Sequence, residues 1–88
     1  MDIPDYTLDG LQRYIQWGIP TGSFLQAVLS NDLFEAFATA DITNRDAMFG
    51  IVGWIYNNAP SKCHGNAEAY KKWIEMHRIK REKTQINL

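Results

Sequence analysis

The side chains best suited to nucleophilic chemistry lie together in one short segment. Cys63 and His64 are adjacent, and the only other histidine is His77. A thiolate–imidazole pair could act as a nucleophile, but adjacent loop side chains rarely point at each other, and a catalytic thiol needs a lowered pKa. We therefore favour Cys63 as a packed small hydrophobe and predict that the protein is not an enzyme. Catalysis by Cys63 or His64 is the alternative.

Metal and acid–base sites are equally poorly supported. A structural zinc site needs four ligands, usually in closely spaced pairs, and one cysteine with two histidines does not provide them. The central acids Asp32, Glu35, Asp41 and Asp46 show no pairing that marks a shared cleft, and Asp32 and Asp46 lie where helix starts favour negative charge. We therefore expect no metal and no cofactor.

A glycine-bearing loop, Thr21, Gly22 and Ser23, leads into a predicted helix. Free backbone N–H groups at a helix start can hold an anion. The loop lacks the P-loop lysine and the three-glycine dinucleotide pattern, and it follows a helix where those motifs follow a strand. A plain connector is favoured. The alternative function is a small-ligand binder, holding a nucleotide or anionic signal here or at the start of the last helix.

Charge is unevenly distributed along the 88 residues. Residues 1–70 contain three basic and eight acidic side chains, whereas residues 71–88 contain six basic and two acidic ones. The basic end, with Lys71 and Lys72 at its start, could meet an acidic partner or a phosphate backbone. Because the inner helices are acidic or neutral, sequence-specific nucleic-acid reading is not expected, and only non-specific binding through this end is considered.

Aromatic residues are numerous for a chain of this size, with three Trp, four Tyr and four Phe. Large rings can fill a small core, or they can anchor a partner. Trp17, at a predicted helix end, is the candidate for an exposed anchor. The candidate ligand- or partner-binding residues are Trp17, Thr21, Gly22, Ser23, His64, Lys71 and Lys72.

Apolar spacing predicts helices throughout the chain. The first covers residues 8–17, capped by Asp5 or Thr7 and stopped at Gly18. Residues 23–40 contain either two helices, broken and capped again at residues 30–32, or one bent helix. Thr43 nearly forms a capping box with Asp46.

Two further helices complete the predicted order. The segment 47–56 is apolar on nearly every side, which is typical of a buried central helix, and Gly50 and Gly53 would let a neighbouring helix approach closely. Asn66 caps a last helix whose inward face carries Tyr70, Trp73, Ile74 and His77, with fraying expected beyond about Lys80.

These elements predict an all-α fold, a compact orthogonal bundle of four to five short helices. The expected organisation is a single domain over residues 1–80 and a frayed basic tail over residues 81–88. One cysteine is typical of a reducing compartment, and there is neither a bilayer-length apolar run nor a signal-peptide pattern at the start. We therefore expect a cytoplasmic protein without membrane contact.

The order and spacing of several short motifs resemble a widespread family of small uncharacterised phage and prophage proteins. The motifs are Arg13-Tyr14-Ile15, Gly18-Ile19-Pro20-x-Gly22-Ser23-Phe24-Leu25-x-Ala27-Val28-Leu29-x-Asn31-Asp32-Leu33, Ala40-Asp41-x-x-Asn44, Tyr56-Asn57-x-Ala59-Pro60, Cys63-x-Gly65 and Trp73. The resemblance covers residues 11–74. It implies an accessory protein of the bacterial host cytoplasm that binds a host protein or a defence component. Homo-oligomerisation is compatible with this, because a small core gains from a partner surface.

Overall fold

The computed structural model describes the backbone of residues 3–86 and the side chains of residues 3–83. Regular structure in this part of the chain is helical, so the predicted all-α bundle is confirmed. The helices are α1 Asp5–Trp17, α2 Ser23–Leu29, α3 Leu33–Thr39, α4 Ile42–Asp46, α5 Met48–Asn58 and α6 Ala67–Ile86, with a 3-10 turn at Ser61–Cys63. Six α-helices form instead of four or five, because the joint after Asp41 is itself a short helix.

Helix α1 begins earlier than the sequence predicts. The carbonyl of Pro4 accepts the backbone N–H groups of Thr7 and Leu8, so the first turn forms ahead of residue 8. The predicted caps, Asp5 and Thr7, are therefore wrong: both lie inside the helix, and the buried Thr7 hydroxyl donates to Asn44 Oδ1. The predicted stop at Gly18 is confirmed by its left-handed backbone, with φ of 66°.

The break between α2 and α3 is confirmed, and the single bent helix is excluded. Asn31 adopts a positive φ of 62°, and Asp32 then accepts the backbone N–H of Glu35 at 3.3 Å. The predicted role of Thr43 is wrong, because Asp41 caps α4 by accepting the N–H of Asn44 at 2.7 Å. An aspartate side chain therefore caps the start of both α3 and α4.

Tyr14 is the centre of the core. It is fully buried, its hydroxyl donates to the Cys63 carbonyl at 2.7 Å, and its ring stacks on Tyr70 with centroids 5.1 Å apart. The indole N–H of Trp73 donates to the Tyr14 carbonyl at 2.9 Å. One residue therefore joins α1, the 3-10 turn and α6.

The prediction of a buried central helix at residues 47–56 is wrong. Ile51 and Ile55 of α5 are buried, but Phe49 is 80% and Tyr56 82% exposed. The other helices cover only one side of α5, because too few short elements are present to surround it. The expected close neighbour of Gly53 is also missing. Apart from its chain neighbours and the backbone of its own helix, no described atom lies within 4 Å of where its Cβ would be.

Helix α6 has the predicted cap and inward face. Asn66 Oδ1 accepts the N–H of Ala69 at 2.8 Å, Tyr70 is buried, and Trp73 and Ile74 pack against the core. The backbone is helical to Ile86, through most of the segment expected to fray. Residues 87–88 of that segment lie outside the described residues.

The side chain of His77 on α6 packs against Gly18 at the end of α1. Its ring meets Trp73 edge-on, and its buried Nε2 has no hydrogen-bond partner within residues 3–83. Burial, followed by the nearby charges of Lys80 and Arg81, lowers the pKa of His77 below its ordinary value of 6.5.

Acidification should therefore destabilise the fold. As the pH drops below about 6.5, the unfolded chain binds a proton at His77 before the folded chain does. The free energy of unfolding should therefore decrease as the pH decreases, until His77 of the folded chain is protonated as well. Urea unfolding between pH 7.5 and 5 measures this slope, which His77→Gln should reduce. Equal slopes for the wild type and the variant would contradict the assignment.

Candidate functional site

Six large exposed apolar side chains of residues 3–83 lie on two helices, α3 and α5. We call the surface they form the apolar face, and its members are Leu33, Phe34, Phe37, Phe49, Val52 and Tyr56. Phe34 is the most exposed of them at 86%, and Val52 the least at 49%. On α5, Phe49, Val52 and Tyr56 follow at helical spacing and therefore share one side of the helix.

A groove of about 400 Å³ runs between the two helices of this face. Leu33 from α3 and Val52 with Tyr56 from α5 line it. Its lining also includes Val28, Ala36, Met48 and Ile55, which are buried or half-buried, together with the polar residues Asn31, Asp32 and His64. The groove is thus mostly apolar, with polar groups available to a bound chain.

Buried residues on the opposite sides of both helices fix the face in place. Ala36 on α3 and Ile51 with Ile55 on α5 belong to the core, and Met48 and Trp54 pack against it. The rings of Phe34, Phe37 and Phe49 therefore lie on the sides of these helices that the core does not cover. Phe37 is further held by Arg45, whose guanidinium lies 4.4 Å from the ring centroid. This cation–π contact limits the movement of one aromatic side chain and leaves it 53% exposed.

The sequence-predicted site residues do not form one cluster. Trp17 is 59% exposed at the end of α1, and its carbonyl accepts a hydrogen bond from Arg81. Thr21 and Gly22 lie in the loop before α2 and Ser23 is the first residue of that helix, whereas His64 lines the groove of the apolar face. His64 is therefore the only one of these residues that lines this groove.

The Thr21 loop is committed to internal contacts. The Thr21 N–H donates to the Tyr70 hydroxyl at 2.9 Å, and the two hydroxyl oxygens lie 3.0 Å apart. Gly22 begins α2 without a side-chain cap. The N–H group that an anion would need from Thr21 is therefore used to hold α6 against this loop.

Two of the six basic side chains of α6, Lys72 and Arg78, form ion pairs with acidic side chains of the same helix. Lys72 Nζ lies 2.8 Å from Glu68 Oε1, and Arg78 pairs with Glu75 and Glu82. Lys72 also lines a wide, open depression with Lys62 and Trp73, whereas Lys71 is exposed on α6. These pairs reduce the positive field that a phosphate backbone would meet.

Cys63 lies in surroundings opposite to those of a nucleophile. Its side chain is fully buried, and burial raises the pKa of the thiol to about 11. Reactive cysteines have lowered pKa values and partial exposure. The packed role that the sequence favours for Cys63 agrees with this position.

Sequence reasoning missed the apolar face, because it predicted that residues 47–56, which include Phe49, form a buried central helix. A usable signal was present in α5, which is apolar on every side in a chain with few helices to cover it. A helix that is apolar on every side needs other helices around it to be buried, and a chain of 88 residues contains few helices that could cover it.

Within residues 3–86, no helix combines the length and the apolar content needed to cross a membrane. The described His, Cys, Asp and Glu residues also include no group of three that could hold a metal ion. Comparison of this chain with protein-family models, with curated proteins and with solved structures gave no match.

Proposed function

We propose that this chain is a non-enzymatic domain that binds another protein through the apolar face. The observation that carries the proposal is the exposure of six large apolar side chains on two adjacent helices, including Phe34 at 86% and Tyr56 at 82%. Contiguous exposed apolar patches of more than a few hundred Å² are rare on monomers and mark interaction surfaces. Aromatic side chains are also enriched among the residues that dominate binding energy.

The proposed setting is that of a small phage accessory protein in the bacterial cytoplasm. The resemblance of residues 11–74 to small phage and prophage proteins supports it. In this setting the partner is a host protein or a defence component that meets the apolar face with its own apolar side chains.

The alternative functions have weaker support. A catalytic Cys63 would have to ionise from a buried position where its thiol pKa is raised to about 11. A small anionic ligand at Thr21 would have to compete with Tyr70 for the backbone N–H of that loop. Both features disfavour the chemistry that each alternative requires.

The proposal predicts that retention of a partner depends on the apolar face. The chain is immobilised, incubated with bacterial lysate, and compared with a variant carrying Phe34→Ser and Phe49→Ser. Since both rings are at least 80% exposed, the variant should fold normally, which circular dichroism checks. We expect it to bind any specific partner at least about tenfold more weakly, because the anchoring rings are gone.

The matched control is Ile79→Ser, which removes an exposed apolar side chain from α6 and leaves the apolar face unchanged. It should retain the same partner as the wild type. Mass spectrometry identifies retained proteins, and a second copy of the chain counts as a partner. If nothing bound by wild type and control is lost by the double variant, the apolar face is not a binding surface.

A further inference from the structure

Helix α5 presents large side chains on either side of an uncovered glycine. Phe49, Val52 and Tyr56 point outward, and Gly53 lies among them. Apart from its chain neighbours and the backbone of its own helix, no described atom lies within 4 Å of its Cβ position. A glycine inside a helix costs about 1 kcal/mol relative to alanine, and no side chain within residues 3–83 uses the space it leaves. The gap is open toward the outside, where the backbone of another helix could come close.

The outward side of α5, formed by Phe49, Val52, Gly53 and Tyr56, is complementary to itself when two copies of α5 cross antiparallel. A two-fold axis between Val52 and Gly53 brings each Val52 over the Gly53 of the other copy. The same axis places each Phe49 opposite the other copy's Tyr56. A two-fold dimer requires a surface that is complementary to itself. Here Val52 fits into the space at Gly53 of the other copy, and the ring of Phe49 faces the ring of Tyr56.

Charge does not oppose this arrangement. Residues 48–58 contain no Asp, Glu, Lys, Arg or His, so like charges do not meet near the axis. Charged side chains are likewise depleted at the centres of protein interfaces.

The exposed area is also adequate for a dimer. Phe34, Phe37, Phe49 and Tyr56 are exposed by 86, 53, 80 and 82%. Together they correspond to about three fully exposed aromatic side chains, or roughly 450–750 Å². Leu33 and Val52 add to this. The total approaches the approximately 800 Å² that each partner contributes to a standard interface.

We propose that the apolar face binds a second copy of this chain, with α5 crossing its symmetry mate antiparallel at Gly53. The inference rests on the proposed function, since it uses the same surface, and it places a second copy of the chain there ahead of a host protein or a defence component. Helix α3 then flanks the crossing and brings Phe34 and Phe37 toward the interface, which closes the groove beside Tyr56.

Sedimentation equilibrium of the full chain from about 1 to 500 µM tests the proposal. The wild type should dimerise with a Kd in the micromolar range. Gly53→Ala should weaken dimerisation by about tenfold, because the added methyl group fills the space that Val52 of the other copy needs. The free chain has room for that methyl group, so at low concentration the variant should be at least as stable as the wild type.

The antiparallel register has its own test. Phe49→Lys and Tyr56→Asp, each alone, should weaken dimerisation by about 100-fold, since each change occurs twice per dimer. An equimolar mixture of the two variants should associate again, because the register places Lys at 49 opposite Asp at 56. Ile79→Lys should dimerise like the wild type.

Three outcomes would overturn the proposal: a monomeric wild type at 500 µM, dimers that persist in both single variants, or no recovery in the mixture. A monomer that still retains a lysate protein through Phe34 and Phe49 would remove the second copy as partner and leave the proposed function in place. A chain that neither dimerises nor retains a lysate protein through the apolar face would contradict both the dimer and the proposed function.

Discussion

Gly18→Ala is expected to lower the free energy of unfolding by about 2–4 kcal/mol, because strain and a clash act together. Gly18 has a positive φ of 66°, which disfavours residues that carry a Cβ. An added Cβ would also lie 2.4 Å from the Cβ of His77, at a point where rotation of the imidazole gives no relief. Urea unfolding at neutral pH measures the effect.

Gly22→Ala is the matched control for this prediction. Gly22 has an ordinary φ of −69°, and apart from its chain neighbours no described atom lies within 4 Å of its Cβ position. Its substitution should change the unfolding free energy by less than about 1 kcal/mol. Similar losses for the two variants would show that the contact between Gly18 and α6 is not what positions these helices.

Ile51→Ala should destabilise the chain by about 2–5 kcal/mol, because it removes a fully buried side chain and leaves a cavity. Phe49→Ala, two residues earlier on the same helix, should cost less than about 0.5 kcal/mol, because its ring is 80% exposed. Both are measured by urea unfolding at a low micromolar concentration, which limits the contribution of association.

The contrast between these neighbours decides how α5 is used. Equal and large losses would mean that Phe49 is packed inside the protein and that α5 is the buried central helix its composition suggests. Small losses for both would place α5 outside the core. A large loss of unfolding free energy for Ile51→Ala and a small one for Phe49→Ala is the result expected for a helix with one face in the core and one available to a partner.

These predictions describe an interaction module with a small core. Tyr14 and its hydrogen bond to the Cys63 carbonyl hold α1, the 3-10 turn and α6 together. Helices α3 and α5 contribute alanine and isoleucine to the core and leave Phe34, Phe37, Phe49 and Tyr56 exposed. The core contains Tyr14, Phe24 and Tyr70, and Trp54 and Trp73 pack against it, so six of the eleven aromatic side chains remain outside the core. The remaining rings on α3 and α5 supply the surface on which the proposed association depends.

Local chemistry in the sequence was enough to predict most of the helix pattern. Gly18 ends α1 because a left-handed residue is needed there, and Asp32 and Asn66 begin helices because their side chains accept free N–H groups. The start of α1 and the cap of α4 were missed, because several nearby residues can serve each role. Pro4 and Asp41 were selected over Thr7 and Thr43 in the folded chain.

The sequence by itself determined the helical class and the end of α1 at Gly18, because capping, helix stops and apolar spacing act over a few neighbouring residues. It offered the break between α2 and α3 as one of two alternatives. Only the tertiary structure decided which apolar side chains became core and which became the apolar face. Ile51 and Phe49 are similar in hydrophobicity, and what separates them is whether other helices reach their side of α5. Coverage of that kind depends on how the helices pack, and the residues within a single helix do not encode it.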